Sequence, residues 1–180
     1  VGASMGGMIA QVMALNYPER VSTLTAIMTT PGFDTQGLSG PTEVFKIAMK
    51  ESFVLNLLEK EEEALVVIEK ALTGSRFPFN ENSFKEKAKI RMEQGVHASN
   101  APTSAVGASP NRFSRLGEIS MPTLIIHGTE DPLIPIDHGM LLADNIPGAK
   151  KLILRGVGHE IPDELLIEII PAMSAHFKFN

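Results

Sequence analysis

A serine flanked by small residues near the start of the chain constrains the fold more than any other feature of the sequence. Gly2, Ser4 and Gly6 follow the pattern G-x-S-x-G, with Ala3 beside the serine and a further glycine at Gly7. In a nucleophile elbow this spacing holds the serine on a sharp turn between a strand and a helix, where a positive φ would crowd larger neighbours. The same pattern also recurs in ordinary flexible turns, so the motif alone leaves both interpretations open.

The stretch that follows the serine favours the elbow. Residues 8–16 have the apolar spacing of an amphipathic helix. Ser4 would then lie at a helix N-terminus, where free N–H groups and the helix dipole favour developing negative charge. The backbone N–H of Met5 is correspondingly expected to serve as one oxyanion-hole donor.

Composition narrows the class of protein. The 180 residues are 43% hydrophobic and 21% charged, which is typical of one globular domain with a sizeable core. A net charge of -5 argues against nucleic acid or an anionic membrane as the partner, because both require a basic surface. The sequence has no cysteine, which excludes disulfides, thiolate metal sites and a cysteine nucleophile and suits a cytoplasmic location.

The remaining chain alternates between helix and strand, which predicts an α/β fold. Strands are expected at residues 21–28, 123–127 and 151–154, and a short helix at residues 136–145. A last helix is expected at residues 162–177, with Leu165, Leu166, Ile169, Ile170 and Met173 forming its apolar face. Pro171 predicts a kink in that helix or a break into two.

Between the first two strands the pattern becomes helical. Helices are expected at residues 43–58, 61–72 and 82–94, and we interpret residues 37–116 as an inserted lid. Apolar residues recur there at helical spacing, a pattern more typical of packing than of a ligand site. They are Phe45, Met49, Phe53, Leu57 and Leu58. His97 lies in the same layer, where a surface or packing role is expected.

Three polar residues each follow a predicted strand: Ser4, Asp131 and His159. Because the carboxyl ends of parallel strands share one edge of a sheet, these side chains are expected to converge. A serine needs a neighbouring base to become a nucleophile, and an aspartate can hold the imidazole of that base in the correct tautomer. The order Ser, Asp, His therefore predicts a catalytic triad, with Ser4 as nucleophile, His159 as base and Asp131 as its orienting acid.

Each member also has an ordinary structural interpretation. Asp131 precedes a proline in a turn, and His159 lies in a glycine-containing loop. Two carboxylates compete for the acid role, but Asp137 falls in the following helix and Glu160 is adjacent to the histidine instead of facing it. The other histidines outside the lid are interpreted as structural. They are His127, His138 and His176.

Three blocks of this sequence resemble the hallmark motifs of the α/β-hydrolase superfamily. They lie at residues 2–8, 127–135 and 156–159 and read GASMGGM, HGTEDPLIP and GVGH. The helical insertion, with PFN at residues 78–80 and DHG at residues 137–139, is similar to the aclacinomycin methylesterase and 3-oxoadipate enol-lactonase group. A serine at position 4 distinguishes the chain from the superfamily members that use aspartate as nucleophile.

This resemblance implies a domain organisation. The chain is expected to be the C-terminal part of an α/β-hydrolase, a mostly parallel sheet flanked by helices, with residues 1–36 and 117–180 forming the core and 37–116 the lid. The N-terminal strands and the second oxyanion donor of such proteins are absent from this sequence. We therefore expect the strand at residues 21–28 to have an open apolar edge, which pairs with another copy in a homo-oligomer or with a missing N-terminal segment.

The resemblance also implies an activity. The expected function is hydrolysis of a small carboxylic ester or lactone through an acyl-enzyme, without a metal or an organic cofactor. Hydrolysis of a carbon–carbon bond by the same triad is an alternative within the superfamily. A non-enzymatic module or an incomplete fragment on a hydrolase scaffold is the alternative from another class.

Overall fold

The computed structural model describes residues 1–93 and 106–178, so His97 lies outside the described residues. Within these described ranges, four parallel strands form one sheet in the spatial order β1-β2-β3-β4. The strands are β1 (Gly2–Ala3), β2 (Leu24–Ile27), β3 (Thr123–Gly128) and β4 (Lys150–Leu154). This parallel sheet flanked by helices confirms the predicted α/β class.

Among the described residues, six α-helices of ten or more residues accompany the sheet, and most begin and end within two residues of the predicted positions. They are α1 (Met5–Asn16), α2 (Glu43–Leu57), α3 (Glu61–Leu72), α4 (Glu81–Glu93), α5 (Ile136–Asn145) and α6 (Leu166–Phe177). Three short 3₁₀ helices lie at Pro18–Arg20, Phe113–Glu118 and Asp163–Leu165. We call α2, α3 and α4 the helical layer, because the chain forms all three between β2 and β3.

Strand β3 occupies the centre of the fold, and all six of its residues are buried. Its side chains alternate between two apolar clusters. Ile125 joins the cluster that includes Leu142 of α5, whereas Leu124 and Ile126 join the cluster that includes Ile169 of α6. Helices therefore cover both faces of the sheet, and the carboxyl ends of its strands share one edge.

The predicted strand at residues 21–28 is shorter in the structure, and its expected open edge lies elsewhere. Met28 has φ 48°, outside the β region, so β2 ends at Ile27. Strand β2 pairs with β3 on one side and with β1 on the other, through Gly2↔Ala26 and Ala3↔Ile27. The edge of the sheet on this side therefore belongs to the two-residue strand β1.

The apolar stripe of α2 was expected to serve mainly for packing within the lid, but most of it is exposed, so that expectation was wrong. Phe45 is buried, but Phe53 is 65% exposed and Leu57 is 68% exposed. Met49 and Leu58 are exposed as well. The buried residues of helix α2 are instead Phe45, Ala48 and Ser52.

The last helix differs from the prediction at its start and at its proline. A 3₁₀ turn occupies Asp163–Leu165, and α6 then continues through Pro171, so a break into two helices was wrong. Proline removes one intrahelical hydrogen bond, which burial of Leu165 and Ile169 against the sheet offsets. Leu166 and Ile170, expected on the apolar face, are exposed.

Candidate active site

The turn between β1 and α1 places Ser4 in a strained backbone conformation. Ser4 has φ 53° and ψ -122°, a region that costs a non-glycine residue roughly 1–3 kcal/mol. Its N–H donates to the Ile27 carbonyl at 2.8 Å, which fixes the turn to the end of β2. A Cβ on Gly2 would overlap the backbone of Gly6, so the first glycine of the motif is required by close packing across the turn.

Ser4 also occupies the N-cap position of α1, but its hydroxyl makes no capping hydrogen bond to the helix. Ser4 Oγ lies instead 3.0 Å from Nε2 of His159. Met5, as the first residue of α1, has an N–H without an acceptor inside the helix. The turn therefore directs the serine hydroxyl to the imidazole and leaves a backbone donor beside it.

His159 bridges the serine and the aspartate. Its Nδ1 lies 2.7 Å from Oδ2 of Asp131, on the side of the ring opposite Ser4. An ionised carboxylate only accepts hydrogen bonds, so Nδ1 carries the proton and Nε2 is free to accept one from the Ser4 hydroxyl. The structure thus brings the three residues singled out in the sequence into one chain of hydrogen bonds, in the order that the triad hypothesis requires.

Asp131 is buried at the end of the turn that follows β3. Its Oδ1 accepts hydrogen bonds from the N–H groups of Leu133 at 3.0 Å and Ile134 at 2.8 Å. Burial acts to raise the pKa of the Asp131 carboxyl, but hydrogen bonds from His127 and His159, the charge of His159 and the Ile134 N–H outweigh it. The pKa of Asp131 is consequently lowered, and the carboxylate form is favoured.

The competing carboxylates have other partners. Asp137 Oδ2 accepts a hydrogen bond from the Ser39 N–H at 2.7 Å. Glu160 accepts from the Gly74 N–H, at 3.0 and 3.1 Å to its two oxygens. Neither carboxylate holds the His159 ring, because Asp131 occupies its Nδ1 side.

The three histidines interpreted as structural are all buried. His138 contacts the Thr30 hydroxyl at 2.7 Å and the Ser39 carbonyl at 2.9 Å, and His176 Nε2 lies 3.1 Å from the Leu24 carbonyl. These partners tie helices α5 and α6 to loops and strand ends near the sheet. The contacts agree with a structural role for His138 and His176.

Two residues contact the site although the sequence assigned them no role in it: His127, which was interpreted as structural, and Thr29. His127 Nε2 lies 2.8 Å from the Ile134 carbonyl and 3.5 Å from Asp131 Oδ2, so this histidine lies against the carboxylate of the site. The Thr29 hydroxyl donates to the Ser4 carbonyl at 2.7 Å. The four-residue spacing of His127 and Asp131 was a usable signal, whereas nothing local links Thr29 to a residue 25 positions earlier.

A cavity of about 550 Å³ adjoins His159. Phe84 of α4 lines it together with Phe77 and Phe79 of the segment before α4, and Ile161 lines it from the loop after His159. Its size and aromatic walls are those of a small-molecule pocket. A cleft lined by residues 69–84 and by the loop that carries His159 therefore lies next to the imidazole.

Within residues 1–93 and 106–178, no group of three or more His, Cys, Asp or Glu side chains is arranged to hold a metal ion. Over the same residues, no helix has both the length and the apolar character needed to cross a membrane.

Residues 1–164 match the protein family described as alpha/beta hydrolase fold. The parallel sheet, the strained serine turn and the Ser4–His159–Asp131 chain of hydrogen bonds agree with that match. The chain belongs to this family.

A dienedioate hydrolase and a methylesterase are among the proteins to which this chain is similar. The chain is 32% identical over 165 residues to a 2-hydroxy-6-oxononadienedioate/2-hydroxy-6-oxononatrienedioate hydrolase of Burkholderia vietnamiensis, an alignment that covers 88% of this chain and 54% of the relative. It is 27% identical to rhodomycin D methylesterase of Streptomyces peucetius, covering 99% of this chain and 66% of the relative. The chain thus spans about half to two thirds of the length of these relatives.

A solved structure supports the fold in the same way. The esterase of Exiguobacterium antarcticum superposes with a TM-score of 0.73 at 20% sequence identity, covering 98% of this chain and 65% of the esterase. At that identity the likeness shows the fold alone.

Proposed function

We propose that this chain carries the catalytic triad of a serine hydrolase that cleaves a small carboxylic ester or lactone. The observation that carries the proposal is the position of His159 between Ser4 Oγ at 3.0 Å and Asp131 Oδ2 at 2.7 Å. The similarity to a methylesterase adds support for ester chemistry.

The proposed reaction has two halves. Ser4 Oγ attacks the carbonyl carbon while His159 Nε2 takes the hydroxyl proton, and Asp131 stabilises the resulting imidazolium. The tetrahedral intermediate then loses its alcohol, which receives the proton from Nε2, and an acyl-serine remains. Water, deprotonated by the same nitrogen, attacks the acyl-serine and forms a second tetrahedral intermediate. Its bond to Ser4 Oγ then breaks, Ser4 Oγ takes the proton back from Nε2, and the carboxylic acid leaves.

The backbone at the start of α1 is proposed to stabilise the oxyanion. The N–H of Met5 is one donor, and the N-terminal dipole of α1 adds to its effect. Cofactors and metals have no part in this scheme, because the nucleophile, the base and the donor all come from the chain.

Residues 37–116 are proposed to act as a lid over the site. The cavity next to His159 has its aromatic wall in this part of the chain, at Phe77, Phe79 and Phe84. Since His159 must deliver its proton to the leaving group, the leaving alcohol is expected on the side of this cavity. The proposed ligand is a small molecule, with neither nucleic acid nor a membrane as partner.

The edge strand β1 is proposed to pair either with a second copy of the chain or with a missing N-terminal segment.

The test is covalent labelling with a fluorophosphonate probe, read by intact mass. Wild-type protein is expected to gain one probe mass, Ser4→Ala none, and the control Ser22→Ala, at an exposed serine, one. Labelling that persists in Ser4→Ala would contradict the proposal, and so would a folded wild-type protein that is not labelled. The second result would favour a non-enzymatic module or an incomplete fragment.

Carbon–carbon bond hydrolysis is the second candidate, favoured by the similarity to the dienedioate hydrolase. It uses the same triad, so labelling does not separate the two. Turnover of an aryl acetate and of a 2-hydroxy-6-oxo-dienoate should be compared at equal enzyme concentration. Faster cleavage of the acetate is expected under the ester proposal, and faster loss of the dienoate absorbance would replace it with the alternative.

A further inference from the structure

Residues 72–76, which we call the docking segment, contact the loop that carries His159. The His159 N–H donates to the Leu72 carbonyl at 2.8 Å. The Arg76 N–H donates to the Gly156 carbonyl, also at 2.8 Å. The docking segment therefore extends the helical layer to the backbone of the proposed base.

Two glycines make this contact possible. A Cβ on Gly74 would overlap the backbone of Gly156 and Gly158, and a Cβ on Gly158 would overlap the Leu72 carbonyl. The two backbones touch without an intervening side chain, an approach that glycine permits. A small displacement of the docking segment would consequently move the histidine loop.

Two carboxylates of the adjoining loops also bind the docking segment. Glu160 accepts from the Gly74 N–H at 3.0 and 3.1 Å. Glu130 accepts from the Ser75 N–H at 2.7 Å and from the Ser75 hydroxyl at 2.8 Å. Hydrogen bonds to ionised carboxylates are the stronger kind, so two adjacent residues of the segment are fixed by charge-assisted bonds.

The sequence positions of the two glutamates are informative. Glu130 directly precedes Asp131, and Glu160 directly follows His159. The acid loop and the histidine loop are also joined to each other, because the Glu130 N–H donates to the Val157 carbonyl at 2.9 Å. Asp131 and His159 thus each have a glutamate as sequence neighbour, and the two glutamates bind adjacent residues of the docking segment, Ser75 and Gly74.

We propose that Glu130 and Glu160 are positioning residues that use the docking segment as a common brace to keep His159 Nδ1 within hydrogen-bond distance of Asp131. This inference rests on the proposed hydrolase function. The carboxylates of both glutamates hydrogen-bond to the docking segment and not to Ser4 or to the His159 ring, although Glu160 also lines the cavity beside His159. Both act by fixing the two loops against the helical layer, so the layer helps to orient the base.

The test uses the full chain with Glu160→Ala, Glu160→Gln and Glu130→Ala, and with Glu19→Ala as an exposed control. Two readouts are taken: the fluorophosphonate labelling rate and the downfield proton resonance of His159 Nδ1. Glu160→Ala and Glu130→Ala are expected to slow labelling about tenfold or more and to broaden or shift this resonance, because sub-ångström errors in orientation are costly to catalysis. Glu160→Gln keeps an oxygen acceptor for the Gly74 N–H and is expected to stay within about threefold of wild type.

The outcomes separate positioning from general stability. Alanine variants that melt earlier but label at the wild-type rate, with an unchanged Nδ1 resonance, would overturn the proposal. Equal losses in Glu160→Gln and Glu160→Ala would also overturn it, because the accepting oxygen would then be irrelevant. If the wild type is not labelled at all, the hydrolase function fails, but the Nδ1 resonance still reports whether the glutamates position His159.

Discussion

The sheet and the helical layer use apolar side chains in opposite ways. All six residues of β3 are buried between helices on both faces, whereas α2 exposes many of its large apolar side chains, such as Ile47 at 61% and Leu57 at 68%. Strand β3 is therefore held in place by apolar contacts of its own side chains with the helices on both faces. The helical layer contacts the loop that carries His159 through the polar groups of the docking segment.

Because of this difference, we expect substitutions in the sheet and in the helical layer to affect different properties of the protein. A buried strand is fixed by many contacts, so it holds Asp131 at its end with little freedom. The helical layer depends on a few hydrogen bonds to the loops that it covers. Substitutions at those hydrogen bonds are therefore expected to change the labelling rate of Ser4 more than the free energy of unfolding. The predictions below test this contrast, beginning with the largest effect.

Replacing the buried acid should affect activity most. Asp131→Asn is expected to lower the labelling rate about ten-thousandfold, because the amide can donate to Nδ1 and favour the wrong tautomer of His159. The matched control in the helical layer is Glu62→Gln, whose carboxylate is exposed and lies 3.5 Å from Lys85 Nζ. It should label at the wild-type rate. Equal losses of labelling rate in Asp131→Asn and Glu62→Gln would mean that the loss does not depend on the contact between Asp131 and His159.

The same substitution in the two regions should have unequal effects on stability. Leu142→Ala in α5 removes a fully buried side chain and is expected to lower the free energy of unfolding by about 2–5 kcal/mol. Leu57→Ala in α2 should change it by less than about 0.5 kcal/mol, because Leu57 is 68% exposed. Urea denaturation measures both. A large cost at Leu57 would show that the exposed face of α2 is covered in solution.

Low pH is expected to reduce the free energy of unfolding through protonation of Asp131. Its folded-state pKa is lower than its unfolded value, so its stabilising contribution is present above about pH 4 and is lost as the pH falls through the folded pKa. The difference in unfolding free energy between wild type and Asp131→Asn should therefore shrink between pH 5 and pH 2. Denaturation at a series of pH values tests this, and a difference independent of pH would contradict it.

The smallest predicted effect concerns two buried threonines at and just beyond β2. Thr29→Val removes the hydrogen bond to the Ser4 carbonyl and should cost about 1 kcal/mol, with slower labelling because the serine turn loosens. Thr25 is buried, and among the described residues its hydroxyl has no hydrogen-bond partner, so Thr25→Val should be neutral or stabilising. Thermal unfolding of Thr29→Val and Thr25→Val tests whether Thr29 supports the serine turn. Equal losses of stability in the two variants would contradict this role.

Local patterns were sufficient for most secondary structure and for the family. Strand β3 is a short apolar run bounded by turn residues, and its type is confirmed. Helices α3 and α5 begin and end where their patterns predict. The convergence of Ser4, Asp131 and His159 followed from the shared edge of parallel strands, although their catalytic roles remain predictions.

Other features depend on neighbours that are remote in the chain. The stripe containing Phe53 and Leu57 has the spacing of a packed face, but spacing does not tell which side of a helix meets a partner. Likewise, Glu130 and Glu160 are ordinary loop carboxylates until Ser75 and Gly74 come within hydrogen-bond distance.

The sequence by itself determined the order of helices and strands, the α/β-hydrolase family and the three residues proposed for catalysis, because each depends on residue type and short-range spacing. Only the tertiary structure decided which face of α2 is buried, that Thr29 holds the serine turn and that the docking segment braces the loops of Asp131 and His159. Those contacts join residues 25 to 86 positions apart, and no local preference encodes which distant backbone group will satisfy a given hydrogen bond.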